Sequence, residues 1–253
     1  METRPAILTL KVLSALLSYP EADTIAALSQ MRVALDREQL CVGEERYAID
    51  ALLDELAEGD LYDLQERYVE LFDRSRTLSL HIFEHIHGES RDRGQAMIDL
   101  KALYEKEGME IAANELPDYL PLFLEYCATR PMVSAREVLG QPAHVFAALA
   151  ERLKKRGSSY EAALRAILAI AAEKPRKEDL DAILSEREEP DPNDLAALDV
   201  AWEEGAVTFG PEAQPAVGGC GSEALAARLR HAKRAVSTAD NPLHLPLRSG
   251  GLA

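Results

Sequence analysis

Apolar residues recur along this chain at the three-to-four-residue spacing of helices that bury one face. The first stripe consists of Leu10, Leu13 and Leu17. It ends before Pro20, because the residue that precedes a proline disfavours the helical conformation. The same spacing predicts further helices over about residues 21–35, 44–58, 61–72, 95–108 and 117–127. No long run of alternating β-branched residues indicates a strand, so the pattern predicts an all-α fold.

Short sequence signals mark where these helices are expected to begin and end. Gly59 is expected to end one helix, and the Asp60 carboxylate to cap the N-terminus of the next. Pro117 suits a first helical turn, where a missing backbone N–H costs nothing, and Pro142 is expected to break or kink a later helix. Two capping boxes are expected to open helical runs: Ser134-x-x-Glu137 and Ser158-x-x-Glu161.

The composition of the chain changes after Leu184. An acidic connector, a short helix around Trp202, a Gly/Pro-rich linker and a basic helix are predicted over residues 186–194, 195–204, 205–221 and 222–236. Residues 222–253 hold five Lys or Arg against two Asp or Glu, a charge of +3 that leaves −19 for the rest. We predict a single bundle of about eight to ten helices over 1–204 and a flexible, basic C-terminal tail over 205–253. The tail either folds back on the acidic body or is a disordered end.

The net charge of −16 restricts the kinds of partner that the protein can bind. An acidic surface repels nucleic acid and anionic membranes and favours a basic partner, although acidity alone also keeps a protein soluble. The chain has no stretch of about 18 apolar residues and no secretory signal, so we expect no membrane insertion. Its three cysteines are far apart in sequence, which favours reduced thiols and a cytoplasmic location.

The histidine-rich segment over residues 79–94 has the most unusual composition. His81, Glu84 and His85 match the H-x-x-E-H pattern of inverted zinc proteases, in which two histidines one helical turn apart bind zinc. The sequence singles out no third ligand and contains no phosphate-binding loop or nucleophile elbow. We therefore expect no metal site and no enzyme activity, and keep a zinc hydrolase only as an alternative. The other interpretation is that these polar residues fix a bend between two helices and line a groove. Residues 91–93 beside Glu84 and Glu89 would hold the bend by charge-assisted hydrogen bonds, and the network serves either a structural role or ligand contact.

Several runs in this chain resemble motifs of the NarJ-type chaperones that assemble respiratory nitrate reductase. They are residues 10–13, 17–20, 68–74, the histidine-rich 79–97, 115–121 and 124–126. The resemblance covers roughly residues 8–185, and the histidine-rich run favours the nitrate reductase branch of the wider redox enzyme maturation chaperones. It implies an all-helical, cytoplasmic, non-catalytic chaperone that has no cofactor of its own.

The resemblance also implies a partner. Such chaperones bind the N-terminal segment of the nitrate reductase catalytic subunit and hold it competent for molybdenum cofactor insertion. They delay membrane docking until assembly is complete. Contact with cofactor-delivery proteins, and service to another molybdoenzyme, remain open alternatives.

The expected site is a helix-lined groove for a basic, amphipathic peptide. Its apolar floor would come from Leu71, Phe72, Phe83, Met97, Leu100 and Tyr104. Carboxylates that would pair with Lys or Arg of the peptide are Glu70, Asp73, Glu84, Asp92, Asp118 and Glu125. Further polar candidates are His81, His87 and Arg91. An ordinary bundle core accounts equally for the apolar positions, and a solvated surface for the carboxylates, so these interpretations stay open.

Overall fold

The computed structural model describes residues 7–88, 90–111 and 115–186. These residues form twelve α-helices, one π-helical turn, Val69–Asp73, and one 3-10 turn, Arg76–Leu78. The α-helices are α1 (Leu8–Leu16), α2 (Ala22–Ala26), α3 (Leu28–Glu38), α4 (Gly43–Glu58), α5 (Leu61–Tyr68), α6 (Ile82–His87), α7 (Asp92–Lys106), α8 (Leu120–Ala128), α9 (Met132–Gly140), α10 (Ala143–Lys155), α11 (Glu161–Ile170) and α12 (Lys177–Glu186). The predicted helix around Trp202, the linker and the basic tail lie outside the described residues.

The helices pack around one continuous apolar core. Helix α1 packs against α3, α8 and α11, and the side chains of its Leu10 and Leu13 are fully buried. Helix α4 packs on α11, and α10 packs on α11 and α12. The all-α prediction is confirmed, and the only β-type pairing among the described residues is one isolated bridge. None of the described helices combines the length and the apolar character that crossing a bilayer requires.

Two interruptions raise the number of α-helices in the described residues above the predicted eight to ten. The helix predicted over 21–35 is divided at Ala27 into α2 and α3. The histidine-rich segment contributes the short α6, and α7 then begins at Asp92, three residues before its predicted start. The apolar spacing predicted the buried faces of these helices correctly, but it carries no signal for the two breaks.

The expected capping box at Ser134 is wrong, because α9 begins at Met132 and Ser134 lies inside the helix. The box at Ser158 is also absent as a side-chain cap, since α11 begins at Glu161 without one. Pro117 lies in a turn before α8, and Pro121 occupies the first helical turn instead.

Helix α4 ends at Gly59, as predicted, but for a different reason. The φ angle of Gly59 is −74°, so its backbone does not require the left-handed region. A Cβ atom at this position would lie 2.8 Å from the side chain of Leu64, so close packing requires a glycine there. Asp60 caps α5 as predicted, and its carboxylate accepts a hydrogen bond of 2.9 Å from the Tyr62 N–H.

The N-terminus of α1 is capped by a side chain from another helix. The Glu38 carboxylate, at the end of α3, accepts hydrogen bonds of 2.7 Å from the backbone N–H groups of both Leu8 and Thr9. These are orphan donors of the first helical turn, which otherwise need water or a local cap. Glu38 therefore joins the end of α3 to the start of α1, whose Leu10 and Leu13 are fully buried.

Replacing Glu38 with alanine is expected to lower the free energy of unfolding by about 1–2 kcal/mol, because two helix donors lose a charged acceptor. The measurement is equilibrium unfolding in urea. Glu151→Ala is the control, since Glu151 is an exposed glutamate in α10, and its effect should stay below about 0.5 kcal/mol. Equal losses in the two variants would contradict the capping role of Glu38.

Candidate functional site

Two distant chain segments meet in a short antiparallel pairing between His81 and Tyr119. The Ile82 N–H donates to the Asp118 carbonyl at 3.0 Å, and the Leu120 N–H donates to the Leu80 carbonyl at 2.8 Å. These bonds fix the N-terminus of α6 beside the N-terminus of α8. The bend predicted for the histidine-rich segment is therefore built partly from the segment around Asp118.

The side chain of Asp118 is fully buried at this junction. Its carboxylate accepts a hydrogen bond of 3.0 Å from the Phe83 N–H, in the first turn of α6, and lies 3.3 Å from Nδ1 of His81. A buried carboxylate with two hydrogen-bond partners costs far less than an unpaired one. Asp118 therefore holds α6 and orients His81, and is not available as a surface carboxylate.

Helix α5 passes directly into the π-helical turn Val69–Asp73, in which the Arg74 N–H donates to the Val69 carbonyl at 3.0 Å. Such wide turns inside helices often occur at functional sites, since the extra residue redirects the side chains that follow. Here Phe72 lies against Tyr68, with ring centroids 4.8 Å apart, and Asp73 follows at the exposed edge. Leu71 and Phe72, two residues of the predicted groove floor, thus lie within this turn.

The pairing and the π-helical turn together enclose a pocket of about 660 Å³. This is within the usual size range of ligand sites. Its lining residues are Tyr19, Tyr68, Phe72, Asp73, Ser75, Arg76, Ser79, Leu80, His81, Glu84, Gly88, Arg93 and Tyr119. Three of these residues, Tyr19, Tyr68 and Tyr119, form the tyrosine wall of the pocket. Tyr68 holds this wall in place, because its hydroxyl donates to the Leu17 carbonyl at 2.9 Å and lies 3.1 Å from the Tyr119 hydroxyl.

The pocket carries charged groups of both signs. Asp73 and Glu84 form no ion pair with any side chain in the described part of the chain, whereas Arg76 has further interactions there. Partial removal of water raises the pKa of the Asp73 carboxyl, and nearby His81 opposes that rise. Two carboxylates beside aromatic faces can hold a cationic side chain, while guanidinium N–H groups can donate to backbone carbonyls. A peptide supplies both kinds of group.

The structure brings four of the predicted site residues together. Phe72, Asp73, His81 and Glu84 all line the pocket. Their role in binding remains a prediction. Because they come from two separate segments and line one pocket, the prediction now refers to a defined site.

The other candidates lie elsewhere. Those in the core are Leu71, Phe83, Leu100, Tyr104 and Asp118. Met97 is partly buried and packs against the core, and the ring of His87 packs against Phe83 with centroids 5.4 Å apart. Burial lowers the pKa of the His87 imidazole. The exposed candidates outside the pocket are Glu70, Arg91, Asp92 and Glu125.

Sequence reasoning did not include most of the tyrosine wall. Tyr19, Tyr68 and Tyr119 come from three separated parts of the chain and meet only in the folded protein. Tyr19 lies three residues after the end of α1, and its ring packs edge-on against Tyr68 with centroids 5.6 Å apart. The sequence signal for Tyr19 is a tyrosine next to a proline at the end of a predicted helix, but that combination also occurs in ordinary turns.

The histidines do not have the geometry that the zinc-hydrolase alternative assumes. His81 precedes α6 with an extended backbone, so His81 and His85 are not one turn apart on a helix. Nε2 of His85 lies 2.7 Å from the Ser79 carbonyl, and His81 faces Asp118. Within the described ranges, no group of three His, Cys, Asp or Glu side chains converges in a way that could hold a metal ion.

Comparison with known proteins identifies the class to which this fold and pocket belong. The profile of the nitrate reductase delta subunit matches residues 40–166. The chain is 38% identical to the nitrate reductase molybdenum cofactor assembly chaperone NarJ of Escherichia coli (strain K12), over 97% of this chain and 99% of that protein. The chain therefore belongs to the NarJ family of nitrate reductase assembly proteins.

Two further relatives agree with this assignment. The chain is 38% identical to the "Probable nitrate reductase molybdenum cofactor assembly chaperone NarW" of Escherichia coli (strain K12), over 79% of this chain and 83% of that protein. It is 33% identical to the protein with the corresponding name, NarJ, of Bacillus subtilis (strain 168), over 67% of this chain and 91% of that protein. The resemblance inferred from the histidine-rich segment is thus confirmed.

Replacing Asp118 with alanine is expected to lower the free energy of unfolding by about 2–3 kcal/mol, because the Phe83 N–H would lose its buried acceptor. Urea denaturation measures the loss. Asp118→Asn keeps one acceptor oxygen and should lose clearly less. If the alanine variant were as stable as the parent, the junction would not depend on this carboxylate.

Proposed function

We propose that this protein is a non-catalytic assembly chaperone for nitrate reductase, and that its pocket binds the basic N-terminal segment of the catalytic subunit. The observation that carries this proposal is the pair of carboxylates, Asp73 and Glu84, set among tyrosines in one pocket. Family membership supports the chaperone role, since relatives are named as molybdenum cofactor assembly chaperones.

The chemistry of the pocket favours a cationic peptide over a free ion. A Lys or Arg side chain gains charge-assisted hydrogen bonds from the carboxylates and a favourable contact with aromatic faces. Arg76 and Arg93, which also line the pocket, disfavour an isolated small cation but can donate to the carbonyl groups of a bound backbone. The net charge of −16 adds long-range attraction for a basic segment.

The size of the pocket limits what enters it. About 660 Å³ accommodates a few side chains and not a folded domain. The remainder of the client segment would lie across the outer surface, where Glu70 and Asp92 are exposed. In this proposal the protein acts in the cytoplasm, holds the catalytic subunit competent for cofactor insertion, and delays its membrane docking. It contributes binding and needs no cofactor of its own.

The double variant Asp73→Asn/Glu84→Gln is expected to weaken binding of the nitrate reductase N-terminal peptide by about tenfold or more, since two charge-assisted contacts are lost. Isothermal titration calorimetry of the parent should give a one-to-one isotherm that weakens as salt is added, because screening reduces the charge component. The peptide should bind better than a scrambled peptide of the same composition.

The matched control is Glu58→Gln/Glu151→Gln, which changes the net charge equally at two exposed carboxylates that lie outside the pocket and were not binding candidates. It is expected to change the Kd by no more than about twofold. Equal weakening by both double variants would mean that overall charge, and not this pocket, selects the peptide. No preference over the scrambled peptide would overturn the proposed client.

A further inference from the structure

Arg152 ties the last described helix, α12, to the 3-10 turn Arg76–Leu78, whose Arg76 lines the pocket. This side chain is buried, with 2% exposure, and reaches two separate elements. Its Nη1 donates to the Thr77 carbonyl and its Nη2 to the Ile183 carbonyl, each at 2.8 Å. Since one guanidinium spans both bonds, the two carbonyl oxygens lie within roughly 8 Å of each other.

These two carbonyls connect the pocket to α12. Thr77 directly follows Arg76, which lines the pocket, and Ile183 lies one helical turn before Glu186, where α12 ends. The described chain therefore ends near the 3-10 turn that carries Arg76. About 40 residues then lead to Arg228, and a chain of that length extends up to roughly 130 Å, so its length does not prevent a return.

The sequence beyond residue 186 contains a basic segment, and the proposed function gives the pocket a preference for basic groups. Four of the seven residues from 228 to 234 are basic, namely Arg228, Arg230, Lys233 and Arg234. No Asp or Glu occurs between residues 224 and 239, in a protein with a net charge of −16. The segment is thus a cationic peptide carried by the chain itself, tethered at an effective concentration far above that of a free client.

We propose that the basic segment 228–234 inserts Lys or Arg side chains into the pocket at Asp73 and Glu84 when no client is bound, and that a client must displace them. The inference rests on the cation preference in the proposed function, but not on the identity of the client. The tethered segment would lower the apparent affinity for weak or wrong clients, because each must compete with it. It would also cover the carboxylates between rounds of assembly.

Cys220 allows a direct test on the full chain. Burial raises the pKa of the Cys41 thiol to about 11 and that of the Cys127 thiol further still, so neither reacts readily near neutral pH. A nitroxide can therefore be attached at Cys220, with Cys220→Ser as the labelling control. Paramagnetic broadening of the Asp73 and Glu84 amide signals is the expected result. Replacing the four basic residues with serine should remove it.

Three outcomes of this measurement would overturn the inference. They are no broadening at the pocket, broadening that persists in the four-serine variant, and broadening that appears between labelled and isotope-enriched copies in a mixed sample. The last would mean that a second copy, and not the chain's own segment, reaches the pocket.

Competition provides the second test. The four-serine variant is expected to bind the client peptide about three- to tenfold more tightly than the parent in calorimetry. A matched variant, with Lys11, Lys101, Lys106 and Lys174 changed to serine, gives the same net charge at exposed positions outside the pocket. An equal gain in the matched variant would assign the effect to net charge and overturn the inference.

The two proposals fail in distinguishable ways. Broadening at the pocket without any client binding would contradict the proposed client and leave the internal segment in place. Client binding without broadening, and with the same Kd in parent and four-serine variant, would contradict the internal segment and leave the chaperone role in place.

Discussion

The pocket depends on one buried carboxylate. Asp118 lies where two segments nearly 40 residues apart are paired, and it satisfies a backbone donor of α6 while it faces His81. A buried charge is stable only where such partners are fixed, so the junction and the carboxylate stabilise each other. The positions of His81, Glu84 and Tyr119 around the pocket all follow from this pairing.

The positions of Phe72 and Asp73 next to the tyrosine wall depend on a second constraint, the change from α- to π-helical geometry after Tyr68. In an uninterrupted α-helix, Phe72 and Asp73 would point in other directions around the helix axis than they do in this structure. In this turn Phe72 is buried against Tyr68, and Asp73 lies at the pocket edge. Core packing and the proposed ligand contact are thus divided between two adjacent residues.

The sequence predicted the helical class, most buried faces and the family, because apolar spacing and the histidine-rich run are local signals. It predicted four pocket residues, since Phe72, Asp73, His81 and Glu84 lie in the two runs that carry the family resemblance. It placed Asp118 and Leu100 in the groove, although both are core residues. Whether a helical residue faces a neighbour or a ligand depends on tertiary contacts that periodicity does not contain. The tyrosine wall was missed for the same reason.

The caps supplied by Glu38 and Asp118 also bear on how the chain folds during synthesis. The start of α1 is satisfied by a residue 30 positions later, and the start of α6 by one 35 positions later. On the ribosome, neither helix can acquire its cap until that later stretch has emerged from the exit tunnel. The pocket, whose lining includes Tyr119, is therefore completed only after that stretch has been translated, when about half of the chain exists.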